Sequence, residues 1–109
     1  MKKQTIWLSY DLGVKGDYPG LYKLLDTYKA KECGNSIAYF HFKYKNDLIK
    51  ELTDLIKENV DIKNSDRFYV IFKKTNNVDS KVAGRFIIGN RKSSPWEGYA
   101  PTEDDSFDE

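Results

Sequence analysis

The run of strand and helix signals along this chain predicts an α+β domain of ferredoxin-like, split βαβ topology. The order is β-α-β-β-α-β plus one extra C-terminal strand, an antiparallel sheet with two helices on one face. Three observations predict it. Segments rich in β-branched and aromatic residues alternate with two segments whose apolar residues recur at helical spacing. The length of 109 residues fits one domain with one sizeable core and leaves no room for two. The 15% aromatic content, with eight Tyr, six Phe and two Trp, excludes disorder for the body of the chain.

The first strand is Thr5-Ile6-Trp7-Leu8-Ser9-Tyr10-Asp11-Leu12, nearly all apolar as befits a central strand. A loop with Gly13 and Gly16 ends it, and Pro19 stands where a first helical turn begins. Leu21, Leu24, Leu25 and Tyr28 then mark one face of a helix of about three turns. Lys31-Glu32-Cys33 reads as a short edge strand and Gly34-Asn35 as a hairpin turn. Ser36 to Phe42 is the stronger strand that follows. Asn46 is the expected N-cap of a second helix, with Leu48, Ile49, Leu52, Ile56 and Val60 on its apolar face. Arg67 to Lys73 is a strand, Thr75-Asn76-Asn77 opens a loop, and Val82 to Ile88 is the last strand. Gly84, inside that strand, marks an expected bulge. The expected domain organisation is a body over residues 1–92, a loop over 93–101 that folds back on it, and an acidic disordered tail over 102–109. Trp96 and Tyr99 are the side chains expected to pack the loop down.

Alternation assigns the two faces of the first strand. Ile6, Leu8 and Tyr10 point one way and Trp7, Ser9 and Asp11 the other. The helices need the apolar side, so Trp7 looks onto the face they leave open. With Tyr69 and Ile71 expected beside it, that face is too apolar to stay wet, which implies a homodimer or another partner surface. No apolar run reaches the ~20 residues of a membrane-spanning helix, so no membrane partner is expected. A single Cys cannot form an internal disulfide, and a reducing, cytoplasmic location is the default.

Charge is unevenly placed. Eighteen Lys and Arg face 17 Asp and Glu, a net +1, but Glu103, Asp104, Asp105, Asp108 and Glu109 crowd the last seven residues. Residues 1–102 thus carry 18 bases against 12 acids, a net of +6. The tail reads either as a solvated solubility device or as a competitor of nucleic acid for the basic body. Lys43, Lys45, Lys73, Lys74, Arg85, Arg91 and Lys92, interleaved with Tyr44 and Phe86, form a candidate surface for phosphates and bases; solvated strand ends are the plain alternative. The loop Gly13-Val14-Lys15-Gly16 lacks the spacing of a phosphate-binding loop. His41 lies between Phe40 and Phe42 as a structural imidazole, and one His with one Cys, Cys33, makes no zinc site.

Ile6-Trp7-Leu8-Ser9-Tyr10-Asp11-Leu12, with Asn35-Ser36-Ile37 and Arg67-Phe68-Tyr69 further on, resembles the small CRISPR-associated protein that forms the dimeric centre of the spacer-acquisition complex. VapD-type ribonuclease toxins share that architecture. The resemblance covers residues 5–73. It implies a homodimer that handles nucleic acid, with Asp11 of each subunit holding Mg²⁺ for phosphodiester cleavage. Read from the residues alone, Asp11 either serves such chemistry or simply ends its strand and caps the loop. The reading from a different class is a module without catalysis that docks a protein partner through its open sheet or its acidic tail.

Overall fold

The computed structural model describes residues 1–75 and 79–101. Residues 76–78, in the loop after Thr75, and the whole acidic tail, 102–109, lie outside the described residues. The elements are β1 (Lys2–Asp11), α1 (Tyr18–Thr27), β2 (Lys31–Glu32), β3 (Ile37–Tyr44), α2 (Leu48–Asn59), β4 (Arg67–Thr75) and β5 (Ser80–Ile88). The strands form one antiparallel sheet in the order β2-β3-β1-β4-β5. This α+β arrangement of five strands and two helices is compatible with a ferredoxin-like fold.

Helix ends follow side-chain chemistry. The Asp17 carboxylate accepts from the Gly20 N–H at 3.0 Å and caps α1, and Pro19 sits in its first turn. For α2 the cap is Asp47, which accepts from the Lys50 N–H at 3.1 Å, and not Asn46 as the sequence predicts. The reason is Glu51: its carboxylate reaches back to the N–H groups of Lys45, Asn46 and Asp47 at 2.8, 2.9 and 2.8 Å. Those three amides are held before the helix begins, so the first helical turn starts one residue later than the Asn46 signal.

The core lies between the sheet and the helices. Ile6 and Leu8 of β1, Ala38, Phe40 and Phe42 of β3, and Phe68, Val70 and Phe72 of β4 are buried against Leu21, Leu24 and Leu25 of α1 and Leu48, Leu52 and Ile56 of α2. Every second strand residue contributes, as a sheet covered on one face requires. Among the described residues one acidic side chain is buried: Asp66, 1% exposed, accepts from the Gly13 N–H at 3.1 Å and the Lys63 N–H at 2.9 Å. It ties the loop after β1 to the loop before β4.

The irregularity in β5 is not at Gly84, where the sequence places a bulge. Gly84 pairs in register with Ile71, and the shift falls at Phe68/Tyr69, opposite Phe86 and Ile88. Gly84 is required for a different reason. A Cβ there would stand 2.5 Å from the Tyr69 hydroxyl, because the Tyr69 ring lies across it. Nor does the loop over 93–101 pack down on the body: Trp96 and Tyr99 are 73% and 87% exposed. Two successive turns, with the Glu97 N–H on the Ser94 carbonyl and the Tyr99 N–H on the Trp96 carbonyl, curl the loop onto itself. No helix among the described residues is long and apolar enough to cross a membrane.

Candidate nucleic-acid interface

The candidate site is the sheet face away from the helices, and strand register assembles it. Trp7 pairs with Tyr39 on one side and Ile71 on the other, and Ile71 pairs with Gly84. One step along, Ser9 lies between Ile37 and Tyr69, and Tyr69 pairs with Phe86. Paired residues of antiparallel strands point to the same side. Trp7, Tyr39, Tyr69 and Phe86 therefore share one surface, each from a different strand.

The rings are ordered against one another. Trp7 and Tyr39 are stacked with centroids 6.3 Å apart and planes 30° from parallel. Tyr69 and Phe86 meet edge to face at 4.9 Å. Trp7 keeps 39% of its surface exposed, and Val82, further along β5, keeps 57%. The sequence assignment of Trp7, Tyr69 and Ile71 to one face agrees with this register. Tyr39 was not singled out, although Ile37, Tyr39, His41 and Lys43 form the period-2 set opposite the buried Ala38, Phe40 and Phe42.

Cations frame the rings. At one end of the face, Lys3 pairs with Lys43 across β1 and β3, and His41 stands beside Thr5, whose hydroxyl lies 2.8 Å from the imidazole Nδ1. Lys73 is exposed on β4 on the same face, opposite Val82. Its carbonyl accepts from the Gln4 carboxamide. At the other end, the Arg91 guanidinium lies over the Tyr69 ring at 5.8 Å and over Phe86 at 5.3 Å. Lys3 is absent from the basic residues that the sequence singles out, because its side is fixed only by pairing with Lys43.

The remaining basic candidates are not brought together. Lys74 pairs with Lys81, and Arg85 pairs with Val70, so both belong to the helix side of the sheet near its edge. Lys45 lies in the turn before α2 and Lys92 in the loop after β5, both exposed. A seven-residue basic list read along the chain thus divides into a face set, Lys43 and Lys73 by strand alternation and Arg91 by its place over Tyr69 and Phe86, and a dispersed remainder.

Asp11 ends β1 on the open face and is engaged there. Its Oδ2 accepts from Arg67 Nη2 at 2.6 Å and from Arg67 Nε at 3.1 Å, across the pair Asp11 and Arg67 of β1 and β4. Arg67 also lies 5.6 Å from the Phe86 ring and donates from Nη1 to the Asn90 carbonyl. Among the described residues of one chain, no three His, Cys, Asp or Glu side chains come together as metal ligands. Within one chain, a Mg²⁺ at Asp11 would meet a single carboxylate whose Oδ2 is already held by the Arg67 guanidinium. Comparison with family models, with curated proteins and with solved structures gives no match to this chain.

Proposed function

We propose that the chain is a ferredoxin-like domain, widened at the β4 edge by β5, that binds single-stranded nucleic acid on its open sheet face. The observation that carries this reading is the set of four rings, Trp7, Tyr39, Tyr69 and Phe86, side by side on four adjacent strands with Lys3, Lys43, Lys73 and Arg91 around them. Aromatic side chains on a sheet give unstacked bases flat apolar partners, and each such base contributes roughly 1–3 kcal/mol. Lysines at one end meet the backbone phosphates, so binding weakens as salt rises. A duplex keeps its bases stacked inside and offers the rings nothing.

The reading keeps the nucleic-acid association implied by the resemblance over residues 5–73 and leaves cleavage aside. The Asp11 carboxylate closes the end of the face by holding Arg67 beside Phe86. Fluorescence anisotropy with labelled single-stranded and duplex oligonucleotides tests the proposal. Single strands should bind better, and Trp7→Ala should weaken them by about 5- to 150-fold, the equivalent of roughly 1–3 kcal/mol. Lys43→Ala with Lys73→Ala should weaken binding and flatten its salt dependence. Equal binding of duplex, or no effect of Trp7→Ala, would contradict it. Asp11→Ala with added Mg²⁺ is the parallel assay for cleavage: loss of a divalent-dependent nuclease activity in that variant would restore the catalytic reading.

A further inference from the structure

We propose that the loop carrying Pro95, Trp96 and Tyr99 is a docking arm that seats on the open sheet face of a second copy of this chain. The inference goes beyond the nucleic-acid reading and does not depend on it. Among the described residues, two surfaces of unlike shape lack cover within one chain. One is the open face, where Trp7 and Val82 are the most exposed large apolar residues. The other is the arm, which presents the rings of Trp96 and Tyr99 almost wholly to solvent.

The arm is built as a presenting device. Turns at Ser94–Glu97 and Trp96–Tyr99, with Gly98 at φ 87°, bring the two rings beside Pro95 around a shallow apolar pocket. Among the described residues that pocket is lined only by Pro95, Trp96 and Tyr99, so the arm's apolar surface is its own and is not shared with the body. The arm starts next to its own open face, since Arg91 lies over Tyr69 and Phe86, yet five residues later Trp96 stands 73% exposed. Among the described residues, nothing of the body lines the pocket between these rings.

Charge and area both favour a second copy as the occupant. The arm carries Glu97 and leads into a tail with five acids, whereas the face is edged by Lys3, Lys43 and Lys73. An exchange about a twofold axis places each acidic arm on the other copy's basic face, so attraction is counted twice and like charges stay apart. Large aromatic side chains bury about 150–250 Å² each, so two per arm and two arms, with the faces they cover, reach roughly 1,200–2,000 Å². That is the size of a stable specific interface, about 1,600 Å².

Sedimentation equilibrium of the full chain, across about 1–200 μM, tests the arm. The wild type should approach twice its 12.7 kDa mass as concentration rises. The variant Trp96→Ala/Tyr99→Ala should weaken the dimer at least about 10-fold, as loss of interface anchors does. At a concentration low enough for both to be monomeric, its circular dichroism melt should match the wild type, because both side chains are exposed in the single chain. Trp7→Ala should weaken the dimer too, and an equimolar mixture of the two variants should regain part of it, through the one arm and one face left intact. A wild type that stays monomeric throughout overturns the proposal. So does a dimer that survives Trp96→Ala/Tyr99→Ala but fails with Trp7→Ala, since that describes two faces meeting without arms. Arm and oligonucleotide would compete for one face, so oligonucleotide anisotropy on Trp96→Ala/Tyr99→Ala separates the two inferences: equal or tighter binding by a monomeric variant supports both, while loss of the dimer without any oligonucleotide binding supports the arm alone.

Discussion

At the scale of single residues, carboxylates that hold backbone amides shape this protein more than its ion pairs do. Lys50–Asp54 and Lys63–Asp61 are exposed pairs, and such pairs contribute about 0–1 kcal/mol. Asp66 is different, because it is buried and satisfies two amides from separate loops. Asp66→Ala would strand the Gly13 and Lys63 N–H groups and should destabilise the fold by about 2–4 kcal/mol, read from urea denaturation. Glu51 and Asp17, both half-buried, report through pH. The Lys45, Asp47 and Asn46 amides hold the Glu51 carboxyl below its ordinary value, and the Asp61 and Gly20 amides do the same for Asp17. A carboxyl whose folded value is depressed stabilises the native state above its unfolded value, and that contribution is lost as pH falls through the folded one. Thermal stability should therefore fall below about pH 4, where Asp and Glu take up protons. Glu51→Gln should start lower at neutral pH and lose less between pH 7 and 3; an unchanged acid limb would show that the three amides do not set it.

At the scale of elements, alternation and helical spacing carried most of the fold, and pairing carried the rest. Leu21, Leu24, Leu25, Leu48, Leu52 and Ile56 are buried on the faces their spacing predicts, because a helix on a sheet has one apolar stripe and a fixed period. Leu24→Ala and Leu52→Ala should each cost about 2–5 kcal/mol in chemical denaturation, and losses under about 1 kcal/mol at both would mean those faces are wrongly placed. What was illegible depends on contacts distant in sequence. Asn46 carries a good cap signal, but Glu51, five residues on, claims its amide and moves the cap to Asp47. Gly84 resembles a bulge glycine until Tyr69 of the neighbouring strand is seen lying over it. The site divides the same way. Trp7 was legible from alternation within one strand. Tyr39, Lys3 and the Asp11–Arg67 pair become meaningful only once β1 has neighbours. Arg85 and Lys74 leave the basic set for the same reason, since strand alternation turns them to the helix side.

At the scale of the whole molecule, the account rests on a sheet with one covered and one open face, and on charge sorted between body and tail. Removal of residues 102–109 takes away five acids and raises the net charge from +1 to +6. Affinity for a single-stranded oligonucleotide should then rise and its salt dependence should steepen, because an internal competitor is gone. Equal affinity of the full and shortened chains at two salt concentrations would mark the tail as a solubility device only. The central claim, that nucleic acid lies on the open face, is tested most directly by two-dimensional amide and indole NMR during titration with a short single-stranded oligonucleotide. The account predicts that the Trp7 indole and the amides around Tyr39, Ile71 and Phe86 shift first and most, while those of α1 and α2 stay fixed. Shifts centred on the helices, or on the turn before α2 with the Trp7 indole unmoved, would contradict it.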